Sequence, residues 1–320
     1  MISRLAEKVL NGELLSEDDA LFIASLKGAD LFHLFSSAGG IREKFRKSKI
    51  DLCSIINAKS GACPEDCSYC AQSSKSRADI SIYSLIKEDA VLKKASEARA
   101  AGVRRFCIVT SGRKAGAREL REIASMITKI KMAGLLPCAT LGLLNRDELL
   151  MLKDSGLERY HHNLETSERF FPEMCSTHTY KDKLKTIEAV KSIGLSVCSG
   201  GIFGLGELWQ DRIDMAFALR ELGVDSVPIN FLIAVRGTPL EKADLLNPLE
   251  ALKIVALYRF MLPDREIRIC GGRRQTLGEF NSMVFMAGAD SLLTGNYLTT
   301  TGTTYEDDLQ LIRHYGLEVG

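Results

Sequence analysis

Leu52-Cys53-Ser54-Ile55-Ile56-Asn57, followed at once by Gly61-Ala62-Cys63-Pro64-Glu65-Asp66-Cys67-Ser68-Tyr69-Cys70, is the stretch that decides the fold. The first run is short, apolar and branched, which predicts a strand. The second is a loop punctuated by Gly and Pro. Outward from it, short apolar runs alternate with stretches of helical period. The predicted strands are Leu52–Asn57, Arg105–Thr110, Pro137–Leu141, Arg159–Leu164, Ser196–Ile202, Ser226–Phe231, Ile267–Gly271 and Ser291–Thr294. Helices are predicted at Glu88–Ala101, Glu119–Met132, Asp147–Asp154, Tyr180–Ile193, Gln210–Leu222, Leu249–Met261 and Leu277–Met286, several of them stopped by Gly. Strands alternating with helices predict parallel βαβ units of the α/β class, and their number fits a closed (β/α)8 TIM barrel. A doubly wound open sheet is the alternative. Residues 1–48 read as an N-terminal helical extension with a capping signal at Ser16-Glu17-Asp18-Asp19, and residues 49–320 as the barrel domain.

The balance of charges narrows the class of function. Among 320 residues the formal net charge is +1, which argues against a nucleic-acid or membrane-surface partner. Charges interrupt every apolar run of Met1-Ile2-Ser3-Arg4-Leu5-Ala6-Glu7-Lys8, so no signal peptide is expected, and no apolar segment reaches membrane-spanning length. A cytoplasmic location is the expectation. There, nine cysteines point to metal or redox chemistry rather than disulfides.

Cys63, Cys67 and Cys70 stand at C-x3-C-x2-C spacing. Three thiolates in one short loop can hold three irons of a [4Fe–4S] cube, leaving one iron open to a small molecule. A zinc site would normally collect two separated ligand pairs, and no second pair stands at the right distance.

This loop after the first strand resembles the signature of the radical S-adenosylmethionine superfamily. The resemblance becomes narrower over most of the chain. Gly61–Ser73, Val197–Ile202 with Gly204-Leu205-Gly206-Glu207, Ser226–Leu232, Gly237-Thr238-Pro239-Leu240, Phe285–Ser291 and Asp307-Asp308-Leu309-Gln310 are together similar to the biotin synthase family. It implies that the open iron of the loop cluster binds S-adenosylmethionine and that an electron from the cluster generates a 5′-deoxyadenosyl radical. That radical would activate the saturated carbons of dethiobiotin, which no general base can deprotonate, and an auxiliary Fe–S cluster would supply sulfide. Tyr69 would pack on the S-adenosylmethionine. The family also implies a homodimer and a small electron-transfer protein, flavodoxin or ferredoxin, as reductant. A hydrogenase maturase with the same kind of barrel, and a non-catalytic iron–sulfur carrier, are the competing readings.

Cys107, Cys138 and Cys198 lie on three predicted strands and match the family's auxiliary-cluster cysteines, while Cys53 and Cys175 match none and are expected to be structural. Arg268, in Ile267-Arg268-Ile269-Cys270, matches an Arg that completes a [2Fe–2S] cluster in well-known members. Cys270 follows two positions later and should face the same side of the strand. Because thiolate is a better iron ligand than a guanidinium, the favoured expectation is a four-iron auxiliary cluster on Cys107, Cys138, Cys198 and Cys270. The alternative keeps Arg268 as ligand of a [2Fe–2S] cluster. The stretch His161-His162-Asn163-Leu164-Glu165-Thr166 implies that Asn163 and Glu165 meet the cofactor and that His161, Asn163 and Asn230 meet the substrate. His178 stands where the family pattern has an Arg for the methionine carboxylate, and would be a pH-dependent anchor.

Overall fold

The computed structural model describes residues 1–320. Three helices lead: α1 (Ile2–Leu10), α2 (Glu17–Ser25) and α3 (Asp30–Arg46). The capping signal is realised as a reciprocal box. Ser16 Oγ accepts from Asp19 N at 3.2 Å, and Asp19 Oδ2 accepts from Ser16 N at 3.0 Å. There follow β1 (Lys49–Lys59), α4 (Glu88–Ala100), β2 (Arg105–Thr110), α5 (Ala117–Met132), β3 (Leu136–Thr140), α6 (Arg146–Asp154) and β4 (Arg159–His161). The second half runs α7 (Phe171–Met174), α8 (Tyr180–Ser192), β5 (Ser196–Cys198), β6 (Gly201–Phe203), α9 (Trp209–Leu222), β7 (Ser226–Phe231), α10 (Pro248–Met261) and β8 (Glu266–Ile269). It ends with α11 (Arg273–Leu277), β9 (Ser291–Leu293), α12 (Tyr305–His314) and β10 (Glu318–Val319).

The strands pair in parallel, in the order β1-β2-β3-β4-β5-β7-β8-β9, with β6 also on β7. The last strand returns to the first through Asp51↔Ser291, Leu52↔Leu292 and Cys53↔Leu293. That pairing closes the (β/α)8 barrel and removes the open-sheet alternative. The short β10 lies outside it, against the start of β1.

Three expected elements differ. The predicted strand Ser196–Ile202 is two pieces, β5 and β6. Opposite the gap stands Pro228, which has no N–H to give to the ladder. The chain passes so close that a Cβ on Gly200 would stand 2.1 Å from the Pro228 carbonyl oxygen. The strand predicted over Arg159–Leu164 ends at His161, and pairing resumes beyond it as a single parallel bridge, Glu165↔Gly201, where Glu165 takes φ +75°. The helix predicted over Leu277–Met286 is instead the end of α11 and a 3-10 turn over Gly278–Met283, broken where Gly278 takes φ +50°.

α10 is buried on every face from Ala251 to Met261 because α2 and α3 cover the side that the barrel does not. Lys253 on α10 donates to the carbonyls of Ala24 and Leu26 at 2.6 and 3.2 Å, which closes the C-terminal end of α2. At the amino ends of the strands, Arg46 of α3 pairs with Asp290, which also receives the fully buried Arg259.

Candidate active site

Parallel strands alternate their side chains inward and outward, so residues two apart on each strand stack in layers within the barrel. The lowest inward layer is charged. It holds Asp51 (β1), Arg105 (β2), Arg159 (β4) and Glu266 (β8), with Arg268 above Glu266. Arg159 Nη1 reaches Glu266 Oε1 at 2.9 Å, and Arg268 Nη2 bonds Asp51 Oδ1 at 2.8 Å and also Glu266. Three guanidiniums over two carboxylates leave this floor with one excess positive charge.

Two residues further along, four strands carry thiols at the same step: Asp51 to Cys53, Arg105 to Cys107, Ser196 to Cys198 and Arg268 to Cys270. Cys138 stands beside Cys107 in the β2–β3 register. All five thiols are buried, and Cys53, Cys107, Cys138 and Cys270 pack into one cluster with Val109 and Leu293. Burial raises the Cys53 thiol to about 12 and Cys198 to about 11, and raises Cys270 as well. Cys107 is raised by its hydrogen bond to Cys138 and by burial. Cys138 goes the other way, to about 7, through that same bond and the field of Arg105, Arg159 and Arg268. The floor's Arg268 pulls Cys53, Cys198 and Cys270 toward thiolate, but burial outweighs it at all three.

At the carboxyl ends of the strands lies the loop of Cys63, Cys67 and Cys70. Ser111 Oγ donates to the Gly61 carbonyl at 2.7 Å, Ser74 N to the Cys63 carbonyl at 2.7 Å and Cys70 N to the Cys67 carbonyl at 3.0 Å. Asp66 accepts from the backbone N–H groups of Ser176 and Thr177 at 2.9 and 3.2 Å. These bonds fasten the loop to residues 175–178 and hold Ala62 in left-handed backbone at φ +51°.

One cavity of about 430 Å³ joins the loop to the floor. Cys63, Cys67, Cys70, Cys107, Cys138, Cys198, Cys270, Arg268, Tyr69, His161, Asn163, Glu165, His178 and Asn230 all line it. The sequence-predicted site residues are therefore gathered in one place. Asn163 is fixed at both ends of its amide: Oδ1 accepts from Gly200 N at 3.1 Å, and Nδ2 donates to Glu165 Oε2 at 3.2 Å. Asn230 donates to the Gly201 carbonyl at 3.1 Å and accepts from Gly271 N at 3.0 Å, which leaves one N–H and one lone pair for a ligand. Burial lowers His161 to about 4, so its ring is neutral at pH 7, and its Nδ1 bonds Thr140 Oγ1 at 2.9 Å. His178 lies against Glu65 and Cys175, and hydrogen bonds from these raise its pKa against the opposing effect of burial.

Sequence reasoning missed several neighbours. Cys53 shares the chamber with the matched cysteines rather than a separate core. Lys183, on α8, is a buried cation on the cavity wall with Nζ 3.9 Å from Glu165 Oε1, suited to a carboxylate. No local pattern marks Lys183, and although Asp51, Arg105 and Arg268 each stand two residues before a strand cysteine, Arg159 and Glu266 do not, so the charged floor emerges only in the fold.

The residues fit iron–sulfur groups and a polar organic cofactor. Two thiol sets face one space, and two buried polar atoms on its wall, Thr110 Oγ1 and His162 Nε2, have no protein partner.

Residues 58–219 match the radical SAM superfamily, and residues 228–318 match the Biotin and Thiamin Synthesis associated domain. The chain is 54% identical over 93% of its length to biotin synthase of Thermodesulfovibrio yellowstonii, covering 94% of that protein. It is 48% identical to the Pelobacter propionicus biotin synthase, covering 98% of this chain and 97% of that one. The chain belongs to the biotin synthase family. It is a radical S-adenosylmethionine enzyme of biotin synthesis. A family member of this kind uses a [4Fe–4S] cluster and S-adenosylmethionine, and its second domain goes with an auxiliary cluster. Among solved structures, methylornithine synthase superposes with a TM-score of 0.85 at 21% identity, covering 99% of this chain and 97% of that one. An FeFe-hydrogenase maturase from Carboxydothermus hydrogenoformans gives 0.82 at 19%, covering 99% and 78%. At that identity the maturase shares the fold alone. No helix is long and apolar enough to cross a membrane.

Proposed function

We propose that this chain converts dethiobiotin to biotin with two clusters in one cavity, and that Cys270 rather than Arg268 completes the auxiliary one. Cys63, Cys67 and Cys70 hold the [4Fe–4S] cluster with its open iron, and Cys107, Cys138, Cys198 and Cys270 hold a four-iron auxiliary cluster. When bound, the loop cluster supplies the electron that splits S-adenosylmethionine into methionine and a 5′-deoxyadenosyl radical, and the auxiliary cluster supplies sulfide.

The observation that carries the ligand assignment is the state of Arg268. Its guanidinium already bonds Asp51, Glu266 and Ser291 Oγ (2.8 Å), and those anions keep it protonated far above its ordinary range despite burial. A protonated guanidinium has no lone pair for iron, whereas the Cys270 thiol has no polar partner but the Arg268 carbonyl, at 3.8 Å.

The remaining residues bind and orient. Tyr69 gives S-adenosylmethionine a ring to pack on, and Asn163 and Glu165 accept its polar groups. His178 supplies positive charge for the methionine carboxylate when protonated, with Lys183 as a permanent cation on the same wall. His161, Asn163 and Asn230 present hydrogen-bonding groups to the ureido ring of dethiobiotin. The apolar walls, among them Val109, Leu293 and Ile233, confine the radical beside its substrate. The division into a helical extension over residues 1–48 and a barrel over 49–320, a homodimer, reduction by flavodoxin or ferredoxin, and a cytoplasmic location belong to the same reading.

Iron and sulfide analysis with Mössbauer spectroscopy on the anaerobically reconstituted chain tests it. Two four-iron clusters, about eight irons per chain, are expected. A [2Fe–2S] signal with about six irons would return the fourth ligand to Arg268, and a single cluster would overturn sulfur insertion.

A further inference from the structure

Cys67 has a neighbour, Cys175, that the reaction above does not use. Cys175, expected to be a structural thiol, lies with Sγ 3.7 Å from Cys67 Sγ. The same sulfur is 3.2 Å from His178 Nδ1, 3.9 Å from its Nε2 and 3.3 Å from Asp66 Oδ1. Cys67, Cys175 and His178 each offer one ligand atom within 4.8 Å of the others, and Cys175 and His178 are buried. An ordinary buried cysteine sits among apolar groups; this one is ringed by donors that metals prefer.

The spacing is informative. With metal–sulfur bonds of about 2.3 Å and metal–nitrogen bonds of about 2.0–2.1 Å, a tetrahedral ion holds two sulfurs roughly 3.8 Å apart. It holds sulfur and nitrogen roughly 3.5 Å apart. The observed 3.7 Å is close to the first, 3.2 and 3.9 Å for the two ring nitrogens bracket the second, and the remaining pair, Cys67 and His178, lies within 4.8 Å. An oxygen is at hand for the fourth position. Asp66 Oδ1 adjoins Cys175, and Glu65 Oε2 adjoins His178.

The geometry points to a second metal site in the cluster-free chain, in which Cys67, Cys175 and His178 bind one borderline divalent cation such as Fe²⁺, Co²⁺ or Zn²⁺. A carboxylate from the same loop completes the coordination. Binding displaces to solvent whatever protons the two sulfurs and the His178 ring still carry and involves no change of oxidation state. The single ion and the loop cluster both require Cys67, so each excludes the other. The site keeps the loop tied to residues 175–178 before a cluster arrives. Its existence depends on neither the substrate nor the auxiliary cluster proposed above.

The test is a Co²⁺ titration of the full chain, prepared cluster-free and reduced without oxygen, carrying Cys63→Ala and Cys70→Ala so that no loop cluster can form. We expect intense tetrahedral d–d bands with sulfur-to-metal charge transfer. Adding Cys175→Ser, which keeps size and shape, should remove one equivalent of tetrahedral Co²⁺, whatever the barrel thiols bind. Adding His178→Ala should weaken that equivalent at least as much as the roughly 10- to 100-fold seen on losing an outer partner. Thermal unfolding establishes that each variant is folded. If Cys175→Ser and His178→Ala, both folded, bind the same number of Co²⁺ ions with unchanged spectra and affinity, the site does not exist. Loss with Cys175→Ser but an unchanged spectrum with His178→Ala would equally overturn the three-ligand site.

Discussion

Arg268 and Cys270 are two residues apart on one strand and face one cavity, yet they do different work. The guanidinium is the hub of the floor, and Asp51 has no other cation within ion-pair distance. Arg268→Met leaves Asp51 buried and unpaired, a loss of the kind that costs about 3–5 kcal/mol. The urea midpoint of the cluster-free chain should fall accordingly, with iron in the reconstituted chain still near the parent content. Cys270→Ala should do the reverse, removing the auxiliary cluster's iron while costing less stability than Arg268→Met. Equal iron in parent and Cys270→Ala would sink the four-thiolate assignment. Cys53 shows what a single residue's sequence context conceals. Nothing local separates it from a core cysteine; only the register with Leu293 and the shared chamber put it beside the matched ligands.

At the scale of elements, the broken fifth stave is what shapes the upper cavity. Pro228 denies a ladder bond, Gly200 lets the chain pass its carbonyl, and the freed Gly200 N–H anchors Asn163. A methyl at Gly200 has no room, so Gly200→Ala must move β5–β6 away from β7 and pull Asn163 off its donor. The expected result is weaker S-adenosylmethionine binding, measured by calorimetry on reconstituted chain, together with a lower melting temperature. Unchanged affinity would mean that Asn163 is not held by this contact. The N-terminal helices matter for a different reason. They cover α10, whose outer face would otherwise be an apolar surface in water. Leu34, on α3, is fully buried in the core that these helices share with the barrel. Leu34→Ala should cost about 2–5 kcal/mol in chemical denaturation while leaving reconstituted iron content unaltered.

For the whole molecule, the sequence alone determined a great deal: the alternation of strands and helices, the (β/α)8 class, the cysteine loop, the family and the set of cavity residues. The strands, helices and cysteine loop are legible because each rests on local pattern, and the family and the cavity residues because their stretches resemble those of known members. Period two marks strands, period 3.6 marks helices, and ligand spacing within a loop is fixed by chain order. Tertiary structure alone decided closure, since β9 meets β1 across the length of the chain. It also decided the break in the fifth stave, where Pro228 and Gly200 act across two strands. The C-terminal α12 and β10, the wall position of Lys183, the place of Cys53 in the chamber and the pairing of Cys175 with Cys67 came from it as well. The physical reason is common to all of these. Each depends on which side chains meet through space after a long loop closes, and neither propensity nor spacing carries that information.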